Sequence, residues 1–124
     1  MNKSVADSTL NALWRKAALA AWGYRDPLSN HCDPTGETLQ CHHIIKRRNF
    51  VTRWDWKNGV PLTVESHQWA HTGAGHAKLW SLLDSEYLEE MEKWLKPDYL
   101  RHIGLSENEF RIQLRDRLKA VIDG

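Results

Sequence analysis

Between Thr38 and His71 the side-chain pattern changes period twice, and this most narrows what the chain can fold into. TLQCHHII (38–45) has the composition of a strand, and GVPLTV (59–64), with Val60, Leu62 and Val64 alternating, predicts a second. About a dozen basic and aromatic residues join them, so the hairpin carries a long loop. ESHQWAH (65–71) then reads as a short helix closed by Thr72 and Gly73. Strand, long loop, strand and helix form a ββα unit over about residues 38–72.

Helical patterns flank this unit, over about 7–22 and 76–122. Leu10, Leu13, Trp14, Ala17, Ala18, Ala21 and Trp22 fall on one stripe, with Asp7 or Ser8 as the expected cap and Gly23 as the end. YRDPLSNHCDPTGE is rich in turn formers and reads as a loop. Tyr87, Leu88, Met91, Trp94 and Leu95 share a second helical face, between Asp84 or Ser85 and Pro97. Ser106 with Glu109 fits a capping box ahead of Phe110, Leu114, Leu118, Val121 and Ile122. With 124 residues and no repeat or linker, the expectation is one α+β domain spanning 1–124.

Composition removes several classes of function. No apolar run approaches the roughly 20 residues that span a bilayer, and MNKSVADSTL lacks the apolar stretch of a secretory signal. A soluble, cytoplasmic protein with no membrane partner is expected. Cys32 and Cys41 make no disulfide framework. The net charge of +1 hides an uneven distribution, with Lys46, Arg47, Arg48, Arg53 and Lys57 clustered in the loop and only Asp55 opposing them. That cluster predicts a local anion-binding surface. The acidic helix around Glu89 to Glu92 reads as a solvated face, with a partner-binding surface as the alternative.

Histidine is the chemistry-bearing residue of the central unit. His42 and His43 end the first strand, where successive side chains point to opposite faces unless the strand twists. His67 and His71, four apart, share a helix face. Imidazole ligates metals and transfers protons near neutrality, so these four are the candidates for a metal site and an acid–base group. His76 and His102 lie elsewhere and read as surface or core residues, with His76 near the mouth of any such site. His31 and Cys32 pairing with Cys41 on a metal is a minor alternative.

QCHHIIKRRN followed by RWDWKNGVPLTVESHQWAH resembles the HNH nuclease family, whose fold is the ββα-metal (His-Me finger) unit. The resemblance covers roughly residues 39–71, about a quarter of the chain, and the order HH, NG, PL, HxxxH is far more specific than any one piece. It implies a metal-dependent DNA endonuclease, nicking or cutting both strands, of the kind found in phage or mobile elements. It implies that His42 and His67 hold one divalent cation, magnesium or manganese, with His71 a further ligand or a phosphate contact. It implies His43 as the general base that activates water, and products with 5′-phosphate and 3′-hydroxyl ends. Asn58 would tie down the long loop and orient His43; its plainer reading is a turn before Gly59. Arg47, Arg48 and Arg53 are expected on DNA phosphates. Trp54 and Trp56 are expected to pack beneath the loop. The oligomeric expectation is a monomer or homodimer.

The chain departs from that family at one place. Many members carry two CxxC pairs around a structural zinc, and the pair before the final histidine is replaced here by Thr63 and Ser66. Cys32 and Cys41, separated by eight residues, do not form the other pair. Two hydroxyls do not substitute for thiolates in a four-cysteine site. No family-type structural zinc is expected, Cys41 reads as a small buried residue, and direct packing through tryptophans would hold the loops. The rival expectations are a non-catalytic DNA-binding module of the same fold, and a structural zinc domain using Cys41, His67 and His71.

Overall fold

The computed structural model describes residues 5–45, 52–94, 100 and 103–124. Lys46, Arg47, Arg48, Leu95, Pro97 and His102 fall outside them. The described residues form a mixed helix-and-strand structure, with helix α1 (Asp7–Ala21), strands β1 (Gln40–His43) and β2 (Gly59–Leu62), and helices α2 (Val64–Ala70), α3 (Gly73–Ser81), α4 (Ser85–Trp94) and α5 (Glu107–Asp123).

The apolar stripe of α1 buries Leu10, Trp14, Ala17, Ala18 and Leu19. Its start is not capped by Asp7 or Ser8 as expected. Ala6 occupies the cap position without a side-chain bond, and Asp7 lies in the first turn, where a carboxylate suits the helix dipole and pairs with Arg111 of α5. The end is as the glycine predicts. Gly23 takes a φ of 65°, and the amides of Gly23 and Tyr24 close back on Ala20 and Leu19, the pattern of a Schellman motif. At the other end of the chain, the Ser106 hydroxyl accepts from the Glu109 amide at 3.1 Å, starting α5. Phe110, Leu114 and Leu118 of α5 pack on Leu10, Trp14 and Ala17 of α1, with Trp54 between them.

The strands pair antiparallel, with Gln40 opposite Leu62 and His43 opposite Gly59. Gly59 faces α1 so closely that a Cβ there would lie 2.8 Å from Trp14 and 2.9 Å from Ala18. Its role is close approach, since its φ of −112° is open to any residue. Val64, expected as the last alternating residue of the strand, instead opens α2 and is exposed. The Thr63 hydroxyl accepts from the Ser66 amide at 3.2 Å, and this cap overrides the alternation. Gly73 likewise opens α3, three residues before the expected start of that flank. The Thr72 hydroxyl caps the Gly75 amide at 3.1 Å, and a Cβ on Gly75 would collide with the Trp69 carbonyl. A second core of Ile44, Val60, Leu62, Ala70 and Leu79 sits under the hairpin where α2 and α3 meet it.

Candidate active site

Strand β1 presents His42 toward α2, and the helical spacing of His67 and His71 brings both rings to meet it. The ring centroids of His42 lie 5.1 Å from His67 and 5.5 Å from His71, and those of His67 and His71 lie 4.9 Å apart. One nitrogen from each of the three falls within 4.8 Å of the others. Ligands bonded to one ion at about 2.1 Å stand within about 4.2 Å of each other, so a small inward movement lets the three share a cation. Burial, reinforced by His67 and His71, pushes the His42 imidazole down to about 4. Burial also lowers His67, with His71 adding to the shift. Neutral imidazole is the form that ligates metal.

Gln40, two residues before His42 and on the same strand, sets the orientation of His67. Its Oε1 accepts from His67 Nδ1 at 2.5 Å. A carbonyl oxygen only accepts, so the proton sits on Nδ1 and the lone pair is on Nε2. The sequence reading missed this residue. The alternation that pairs Gln40 with His42 on one face is the signal that finds it.

His43 lines the same cleft as the three ligand candidates, a space of about 700 Å3 between β1 and the α2–α3 corner. Its ring is held on two sides. His43 Nε2 lies 2.8 Å from the Arg53 carbonyl, and the Trp14 indole stacks on the ring at 4.0 Å with an 8° tilt. The carbonyl again assigns the proton, here to Nε2, and leaves the basic lone pair on Nδ1. Trp14 is itself fixed by its Nε1–H donating to the Asp55 carbonyl at 2.8 Å.

Asn58 does not line the cleft. It is fully buried and ties together the two described ends of the long loop. Its Oδ1 accepts from the Ile45 amide at 2.6 Å, and its Nδ2 donates to the carbonyls of Ile45 and Thr52 at 3.1 and 3.0 Å. The segment from Thr52 carries the Arg53 carbonyl that holds His43, so Asn58 acts on the loop and through it on the His43 ring. At the Asn58–Gly59 pair the Gly59 amide donates back to the Trp56 carbonyl, closing a turn. The pair joins a short 3-10 segment (Trp56–Asn58) to β2.

Arg53 contributes its backbone to the site rather than its guanidinium. That group lies 4.5 Å over the Trp54 ring and 3.8 Å from Asp7. Cys41 lines the cleft, but its thiol donates to the Arg15 carbonyl at 3.7 Å. Burial pushes that thiol up to about 11. His76 also lines the cleft, and its Nε2 accepts from Trp80 Nε1 at 2.6 Å.

At Thr63 and Ser66 the loop after α1 is anchored by Asp26, a second residue the sequence reading missed. This buried carboxylate accepts from the amides of Leu28, Ser29 and Thr63 at 2.7, 3.1 and 2.9 Å. Burial alone would raise its pKa, but the Ser66 hydroxyl and these amides together hold it below the usual range. The dipeptide Asp26–Pro27 is the available signal, since Asp before Pro initiates turns. Trp22 Nε1 adds a bond to the Gly59 carbonyl at 2.9 Å, and Trp54 Nε1 one to Asn11 Oδ1 at 2.8 Å. No family model, curated protein or solved structure matches this chain. Among the described residues, no helix is long and apolar enough to cross a membrane.

Proposed function

We infer that the protein is a metal-dependent endonuclease that hydrolyses phosphodiesters of DNA, built on a ββα-metal core. The observation that carries this reading is the placement of His42, His67 and His71 around one point, with His43 on the wall of the same cleft. Three of these histidines offer ligand nitrogens, and in the neutral ring of the fourth the proton faces the Arg53 carbonyl. Among the described residues, no carboxylate lines this cleft, which suits an anionic substrate. The Cys41 thiol, bonded to the Arg15 carbonyl and held protonated by burial, argues against the structural zinc reading.

His42, His67 and His71 would hold the cation. Three neutral imidazoles suit cations such as zinc, nickel or iron best, and of the two cations the resemblance implies, manganese fits them better than magnesium, which holds to oxygen ligands. A cation held there would supply charge that offsets the phosphate and the departing oxygen. His43 takes a proton from water at Nδ1 while the water oxygen bonds to phosphorus. The bond from phosphorus to the 3′ oxygen breaks, and that oxygen gains a proton from solvent. The Arg53 carbonyl and the Trp14 face keep the His43 ring in register throughout.

Supercoiled plasmid incubated with manganese, with magnesium or with chelator tests this reading. Cleavage with manganese, weaker cleavage with magnesium, and none with chelator is the expected result. The far-ultraviolet circular dichroism should stay unchanged on chelation, because packing and not metal holds the fold. A helical signal that collapses on chelation and returns only with zinc would favour the structural zinc domain.

A further inference from the structure

A second cleft, of about 510 Å3, lies between α1 and β1. Asn11, Trp14 and Arg15 form one wall, with Gln40, Cys41 and His43 on the other. Cys41 and His43 also line the histidine cleft, so the two spaces meet at the general base.

The polar groups of this second cleft are biased toward donation. Asn11 Oδ1 already accepts from Trp54 Nε1 at 2.8 Å, so its remaining capacity is two N–H donors against one lone pair. Gln40 Oε1 is occupied by His67 Nδ1, with the same consequence. Arg15 offers only donors. One of its nitrogens spans the carbonyls of Gly36 and Leu39 at 2.8 and 3.1 Å, fixing a cation beside the cleft. Among the described residues, no carboxylate lines this space. A wall of donors and one anchored cation is complementary to an acceptor-rich anion.

We propose that the cleft between α1 and β1 binds the DNA backbone, holding a phosphodiester next to the one presented to His43. This rests on the reading of the histidine cleft as the cutting site. The strand then runs past His43 from one cleft into the other, with Asn11 and Arg15 contacting the flanking phosphate.

Binding of a fluorescently labelled DNA duplex, followed by anisotropy in chelator over a salt series, tests the proposal without cleavage. Asn11→Asp keeps an oxygen for Trp54 Nε1 and adds a negative charge at an exposed position, while Arg15→Gln removes the cation. Each should weaken binding about tenfold, and Arg15→Gln should lower the salt slope by about one. Asn11→Asp should melt at the wild-type temperature, so it keeps the test decisive if Arg15→Gln folds poorly. Wild-type affinity and slope for Asn11→Asp would overturn the proposal. So would loss of inorganic phosphate competition in Asn11→Asp with DNA affinity unchanged, since that marks a small-anion site. Wild-type protein that binds DNA with this dependence but never cuts with manganese would overturn the nuclease reading alone. Protein that cuts, with Asn11→Asp binding DNA like wild type, would overturn the backbone subsite alone.

Discussion

Gln40 Oε1 and His67 Nδ1 lie 2.5 Å apart, joining the first residue of β1 to a ring on α2. The bond decides which nitrogen of His67 is able to ligate. Gln40→Leu should therefore weaken manganese binding by about 10- to 100-fold, the usual cost of losing an orienting partner. Gln40→Glu keeps the acceptor and should retain affinity. Isothermal titration of the three proteins measures this directly, and equal affinities would mean that the contact orients nothing.

Asn58 satisfies three backbone groups from inside the protein. Asn58→Ala takes this partner from the buried Ile45 amide and carbonyl, while the Thr52 carbonyl keeps the Asp55 amide at 3.2 Å, at a cost of about 1–3 kcal/mol in stability. Because the loop carries the carbonyl that holds His43, turnover should fall further than stability explains, while manganese affinity stays near wild type. Urea melts combined with cleavage rates at a temperature where both proteins are folded give the comparison. A variant that loses stability but turns over like wild type would confine Asn58 to a structural role.

The helices and the hairpin were legible because each depends on local periodicity. Leu10, Trp14, Ala17 and Ala18 on α1, and Phe110, Leu114 and Leu118 on α5, are buried where their spacing puts them. Val64 and Gly73 were misplaced by the same logic. A threonine before each of them caps a new helix, and capping competes locally with alternation. That His67 and His71 share a face followed from helix geometry, whereas their meeting with His42 was implied only by the resemblance of residues 39–71 to a known family. Gln40, Asp26 and the Arg53 carbonyl followed from neither, because each works through a partner distant in sequence. Trp14 was legible as a core residue and illegible as the surface on which His43 rests, since the stack spans α1 and β1.

Acid should unfold the metal-free protein through the same histidines. Burial lowers His42 to about 4 and lowers His67 as well, against about 6.5 for an unperturbed imidazole. Between those values the unfolded chain binds a proton that the folded chain refuses. The full stability is therefore present above about pH 6.5 and declines as pH falls toward about 4. The urea midpoint should drop between about pH 7.5 and about pH 5, and His42→Gln should flatten that drop. Calorimetric or fluorescence melts at the two pH values check it. A His42→Gln variant with the full wild-type decline would place the acid sensitivity elsewhere.

The central claim is that His43 activates water while its neighbours hold the cation, and one variant separates the two roles. His43→Ala should lose about 10²- to 10⁴-fold in the rate of plasmid cleavage with manganese, the usual range for a lost general base. Manganese affinity by titration and the melting temperature of the loaded protein should stay close to wild type, because no ligand nitrogen has been removed. Wild-type cleavage by His43→Ala, or loss of manganese binding together with activity, would contradict the account.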